Sequence, residues 1–130
     1  MIVDSSALIA ILLDEPEAAV FAQALLSSSV NRISAANYLE AAIVVDRRAQ
    51  EGSRIAAFEP LVEAARLQIV DVTPQRAVEA RKAYRRYGKG FDPARLNFGD
   101  SFAYALAVEF GEPLLFKGND FAQTDVIRAV

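Results

Sequence analysis

A short apolar run, Met1-Ile2-Val3, ends on a carboxylate, Asp4, and Ser5-Ser6 then leads into apolar Ala7-Leu8-Ile9. Two β-branched residues before an acid predict a buried strand over residues 2–4, and Ser5 or Ser6 starts a helix reaching about Leu13. This strand-to-helix step constrains the fold more than any other feature. It holds Asp4 at the carboxyl end of a strand, which is where open α/β sheets place their sites.

The same grammar recurs along the chain. Asp14-Glu15-Pro16 breaks the first helix, and Ala19, Phe21, Ala22, Leu25 and Leu26 predict a second one to about Ser27. A brief strand around Arg32-Ile33 leads to Ser34, an N-cap for a helix carrying Tyr38, Leu39, Ala42, Ile43 and Val45. Glu40 falls in its second turn, near the apolar face. Glu51-Gly52-Ser53 ends that helix, and residues 53–66 predict another that Pro60 kinks or interrupts. Gln68–Val72 reads as a strand, and Thr73-Pro74 caps a helix to about Tyr87 with Ala77, Ala80, Ala83, Tyr84 and Tyr87 towards the core. Gly88, Gly90 and Pro93 mark a loop over residues 88–98. A helix from about Gly99 follows, apolar at Phe102, Ala103, Leu106, Ala107 and Phe110, and stops at Gly111. Leu114-Leu115-Phe116 is a further strand, and Val126-Ile127 adds a weak one at the edge. Alternating strands and helices predict an α/β protein with a parallel sheet and helices on both faces. At 130 residues the expectation is a single domain over 1–130.

The chain has neither cysteine nor histidine, which excludes a disulfide framework, thiolate or imidazole metal sites and histidine-based triads. Carboxylates are the main remaining candidates for metal chemistry, and their hard oxygens select Mg²⁺ or Mn²⁺. No apolar run reaches the roughly 18 residues of a membrane span and no charged leader opens the chain, so a cytoplasmic location is expected. A net charge of −3 argues against non-specific coating of nucleic acid. The cations are nevertheless concentrated, with Arg76, Arg81, Lys82, Arg85, Arg86, Lys89 and Arg95 close together. Arg81, Arg85 and Lys89 repeat every four residues beside Lys82 and Arg86, so one helical face is suited either to an RNA backbone or simply to solvent.

Asp4, Glu40, Asp100 and Asp120 all sit beside apolar segments. Right-handed crossovers bring the carboxyl ends of the strands to one edge, where these four acids can converge. Two carboxylates about 5 Å apart at an effective dielectric near 20 repel by about 3 kcal/mol, so such a cluster implies a bound cation or raised pKa values. Each acid alone also has an ordinary reading: Asp100 at a helix N-terminus, Glu40 in solvent, Asp120 in a turn. Their joint placement favours a site. Ser6 is placed to bond Asp4, or equally to cap the helix.

Four segments carry a family resemblance. They are Met1-Ile2-Val3-Asp4-Ser5-Ser6-Ala7-Leu8-Ile9, Ser34-Ala35-Ala36-Asn37-Tyr38-Leu39-Glu40, Leu96-Asn97-Phe98-Gly99-Asp100-Ser101-Phe102-Ala103-Tyr104-Ala105-Leu106, and the stretch from Leu114 through Asn119-Asp120 to Asp125. In this order the chain resembles the PIN-domain nucleases, specifically the VapC-type toxins of toxin–antitoxin pairs. The resemblance implies a three-layer α/β/α sandwich in which Asp4, Glu40, Asp100 and an acid near residue 120 bind Mg²⁺ or Mn²⁺. It implies endoribonuclease activity leaving 5′-phosphate and 3′-hydroxyl ends, a homodimer, and neutralisation by a VapB-like antitoxin. Asp4 and Asp100 would be the primary ligands, with Glu40 completing the set or orienting water. Asn119, Asp120 and Asp125 compete for the fourth place, with Asp120 preferred. The chain departs from its subgroup at Asp92, where relatives often carry His, and at Ser101, where they often carry Cys.

Two other functions fit parts of the pattern. A phospho-receiver domain would use Asp4, Asp71 as phosphoacceptor and Lys117, but it gives no role to Glu40 or Asp100. A non-catalytic PIN-like scaffold would bind RNA or protein without cutting.

Overall fold

The computed structural model describes residues 1–48 and 55–130. Ile2–Val3 (β1) passes directly into Ser5–Leu12 (α1), followed by Ala18–Ser27 (α2), Asn31–Ser34 (β2), Ala35–Arg48 (α3) and Ile55–Ala64 (α4). Leu67–Val70 (β3), Pro74–Tyr87 (α5), Phe98–Phe110 (α6), Leu114–Leu115 (β4) and a 3₁₀ turn at Asp120–Gln123 complete it. The expected helix stop at Glu51-Gly52-Ser53 lies outside the described residues.

Four parallel strands form one sheet in the order β3-β2-β1-β4. Side-chain alternation divides the core into two layers. Val3, Ile33, Leu67 and Leu115 pack with α1 to α4 on one face, whereas Ile2, Leu114 and Phe116 pack with α5 and α6 on the other. Ile2, Val3, Leu114 and Leu115 are fully buried, and such side chains contribute about 1.5–3 kcal/mol each. The chain moves outward from β1 to β3 with helices on one face, then crosses back to β4 on the far side of β1. The strand order therefore reverses between β1 and β4, and that crevice is where α/β sheets bind their ligands. The architecture is the three-layer α/β/α sandwich expected from the sequence.

Several details differ from the sequence reading. The buried stripe of α3 is Asn37, Ala41 and Val45, while Leu39 and Ile43 are exposed. On α5, Ala77 is exposed, and Ala80, Ala83 and Tyr87 face the core. Helix α4 runs through Pro60 without interruption. The carbonyl that Pro60 leaves without its helical donor belongs to Ala56, an exposed residue. At the chain's far end, one parallel bridge joins Leu114 to Arg128 in place of a strand at Val126-Ile127. Strand β3 ends at Val70, because Asp71 and Val72 lead out into the Thr73 cap of α5. Among the described residues no helix is long and apolar enough to cross a membrane.

Candidate active site

Asp4 leaves β1 in extended conformation and caps α1, accepting hydrogen bonds at Oδ2 from the Ser6 backbone N–H (2.9 Å) and the Ser6 hydroxyl (2.5 Å). The Ser6 hydroxyl oxygen accepts in turn from the Lys117 N–H at 3.0 Å, which ties α1 to the end of β4 across the crevice. Asp4, rather than Ser5 or Ser6, is thus the cap of α1, and Ser6 fixes its carboxylate. Asp4 is 2% exposed. Burial pushes its carboxyl above the ordinary value, Ser6 pulls it back, and the neighbouring charge of Glu40 pushes it further up.

Asp100 occupies the first turn of α6 in a reciprocal capping box. Its Oδ2 accepts from the Asn97 N–H at 2.7 Å, and its own N–H donates to Asn97 Oδ1 at 2.9 Å. The carboxylate is 7% exposed, and its pKa is pushed up to about 7. Burial is the largest cause. The Asn97 N–H lowers it, while the charges of Asp4, Asp120 and Glu40 all raise it, so Asp100 feels the other three acids.

Glu40 projects from the second turn of α3 and accepts the Ser5 hydroxyl at Oε2, 2.6 Å away. It lies against Gly99, where a Cβ would come within 2.4 Å of Oε2. Glycine at this position of α6 therefore makes room for the carboxylate. Asp120 opens the 3₁₀ turn after β4 and is exposed. Of its competitors, Asp125 is committed elsewhere, accepting the Tyr104 hydroxyl at 2.6 Å and pairing with Arg86 at 3.2 Å. Asn119 is exposed and makes no side-chain cap bond.

The four acids named from sequence thus gather at the carboxyl edge, and Asp71 does not join them. It lies exposed beyond β3, with β2 between that strand and β1. The receiver reading, which needs Asp71 beside Asp4, loses its geometry. The residues at which the chain departs from its subgroup serve local turns: Asp92 accepts from the Ala94 N–H at 2.9 Å, and the Ser101 hydroxyl donates to the Phe98 carbonyl at 2.7 Å.

The acids suit a hard divalent cation by their donor chemistry, since two are buried carboxylates neutralised by no cationic side chain among the described residues. Among the described residues no three acids already form a closed ligand set for a single ion. Asp4 and Asp100 each use Oδ2 to hold a helix start. The Asp4 Oδ1 receives only a long contact, 3.4 Å, from the Asn37 amide.

On α5, the row of cations is partly occupied. Lys82 pairs with Glu79 at 2.8 Å and Arg86 with Asp125. Arg81, Arg85 and Lys89 are exposed and form no ion pair among the described residues. The Lys89 N–H donates to the Leu96 carbonyl at 2.9 Å, which brings this basic end of α5 next to the segment that caps α6.

Three residues escaped the sequence reading: Ser5, Gly99 and Asn37. The signal for Asn37 was present, since it is a polar residue in register with Ala41 and Val45 on a buried stripe. Gly99 and Ser5 act through contacts between distant segments, and no local pattern marks them.

A sequence model of the PIN domain matches residues 1–127. The chain is 52% identical to Ribonuclease VapC28 of Mycobacterium tuberculosis, over all of this chain and 98% of that one. It is 48% identical to a Ribonuclease VapC of Mycolicibacterium smegmatis, over 97% of both chains. Its fold resembles the crystal structure of Mycobacterium tuberculosis VapC20, a toxin that cleaves the sarcin–ricin loop. That similarity has a TM-score of 0.78 at 16% identity and covers 97% of this chain and 95% of VapC20.

Proposed function

The chain belongs to the PIN-domain family, with VapC ribonucleases among its relatives, and we propose that it is a single-domain, divalent-metal-dependent endoribonuclease toxin. The observation that carries this reading is the pair of buried carboxylates, Asp4 and Asp100, at the β1/β4 crevice, which no cationic side chain among the described residues pairs with. Asp4 and Asp100 would hold Mg²⁺ or Mn²⁺, with Glu40 and Asp120 completing the set. A bound divalent ion supplies positive charge at the phosphate and makes water easier to deprotonate.

The chain's own residues supply position. Ser6 fixes Asp4, the Asn97 box fixes Asp100, and Ser5 holds Oε2 of Glu40 so that Oε1 is left to orient the attacking water. Water oxygen bonds to phosphorus and the P–O3′ bond breaks. The 3′ oxygen leaves with a proton, giving a 3′-hydroxyl and a 5′-phosphate. Arg81, Arg85 and Lys89 form the positive rim that steers the RNA backbone towards the acids.

The partners follow from the same site. A VapB-like antitoxin would cover the acidic pocket, and a cationic side chain inserted between Asp4 and Asp100 would satisfy what this chain leaves unpaired. The toxin acts as a homodimer in the cytoplasm. Labelled total RNA incubated with purified protein and Mg²⁺ or Mn²⁺ tests the reading, alongside Asp4→Asn, Asp100→Asn and an EDTA control. Discrete fragments with 5′-phosphates that vanish in all three controls are expected. Intact RNA with a folded, antitoxin-free protein would favour a scaffold that binds without cutting.

A further inference from the structure

Asn37 is 0% exposed and lies between the two halves of the acidic site. Its Nδ2 donates to the Gly99 carbonyl at 3.0 Å, and makes the longer contact to Asp4 Oδ1. Its own Oδ1 is buried without a hydrogen-bond partner. The amide orientation is determined by its surroundings, because turning it over would set Oδ1 against two other acceptors. A buried, unsatisfied carbonyl is destabilising, so a leucine of similar volume would serve packing better. The stripe it shares with Ala41 and Val45 is otherwise apolar.

We infer that Asn37 is a positioning residue for the metal-dependent reaction, holding the Asp4 oxygen that Ser6 leaves free against the start of α6, and so setting Asp4 in register with Asp100. The inference rests on the nuclease reading above. Asp4 is anchored through β1 and α1, and Asp100 through α6. Asn37, on α3, touches both anchors: Asp4 directly, and α6 through the carbonyl of the residue before Asp100. Gly99 serves the same junction from the other side, since it abuts Glu40 one turn further along α3. Helix α3 thereby couples all three acids. Groups that orient a ligating carboxylate matter to the ion almost as much as the ligand itself.

The test measures Mn²⁺ binding by titration calorimetry, metal-free thermal melting, and kcat and KM on RNA, for wild type, Asn37→Leu, Asn37→Ser and Asp100→Asn. Asn37→Leu should melt at or above the wild-type temperature, because the orphaned carbonyl is gone. It should bind Mn²⁺ roughly 10–100-fold more weakly and lose kcat by a similar factor, with KM for RNA unchanged. Asn37→Ser, which keeps a donor, should fall between. A purely structural role would instead lower the melting temperature and affinity together. Wild-type Mn²⁺ affinity and kcat in Asn37→Leu overturn the inference while leaving the nuclease reading intact, provided Asp100→Asn has lost binding. If Asn37→Leu does not fold, Asn37→Ser decides, and wild-type affinity there overturns the inference too. Absence of Mn²⁺ binding in wild type would remove the metal reading and this inference with it.

Discussion

The two ends of the same four-stranded sheet treat carboxylates in opposite ways. At the amino end, Glu112 precedes β4 and meets the Met1 ammonium at 3.1 Å and the Arg32 guanidinium, which also lies over the Phe110 ring. Burial alone would raise the Glu112 pKa, but these two cations hold it below its usual range. At the carboxyl end, Asp4 and Asp100 receive hydrogen bonds from uncharged donors, Ser6, Asn97 and Asn37, and both pKa values are raised. Lys117, which follows β4, is drawn away to Glu15 at 2.7 Å and Glu17 at 3.3 Å. The fold therefore neutralises an acid at one end with its own cations, and at the other leaves two acids with no cationic partner among the described residues, as the proposed metal site requires. The difference separates a structural ion pair from a site.

The largest effect that sharpens this contrast is expected at Asp100. Asp100→Asn should lower RNA cleavage by about three orders of magnitude, the equivalent of several kcal/mol of transition-state stabilisation. The same variant should melt at a higher temperature than metal-free wild type, because it removes a desolvated charge. Cleavage assays and thermal melts on one preparation check both directions.

The second effect is on pH dependence. The folded-state value for Asp100, about 7, lies above the ordinary 3.8 of an unfolded chain, so between them the folded protein binds the extra proton. Metal-free stability should fall as pH rises through this window, and the loss is complete above about pH 7. Urea melts at pH 5, 6, 7 and 8 would show the slope, and excess Mg²⁺ should flatten it.

At the opposite end, Glu112→Gln should cost about 0.5–1 kcal/mol of stability, as expected of a partly screened ion pair, and leave the cleavage rate unchanged. A loss of activity in this variant would break the separation between the two ends. The smallest effect belongs to the basic rim. Arg85→Ala and Lys89→Ala should each weaken RNA binding modestly and reduce the salt dependence by about 0.7 in log–log slope for each phosphate no longer neutralised. A titration series from low to high salt checks this.

The legible part of the molecule was the part encoded locally. Asp4 after Ile2-Val3, Thr73-Pro74 before α5 and Gly111 after α6, with φ 62°, are short-range signals that mark where elements start and stop. Asp4, Asp100 and Asp120 were readable as candidates because each follows or opens such an element, whereas Glu40, in the second turn of α3, was marked only by its nearness to the apolar face. What escaped was set by contacts between distant segments. The stripe of α3 turned towards Asn37 because the packing of α3 against α1 and α6 decides which face is buried, leaving Leu39 and Ile43 outside. Asp125 looked like a rival to Asp120 in sequence, and only its bonds to Tyr104 and Arg86 remove it from the site.

The most direct measurement is thermal melting of wild type and Asp100→Asn at pH 7, each with and without saturating Mn²⁺. If the carboxyl-edge acids are held unneutralised for an external cation, wild type gains stability on adding Mn²⁺, while Asp100→Asn starts higher and gains little. Equal melting temperatures for metal-free wild type and variant, with no shift on adding Mn²⁺, would contradict that claim.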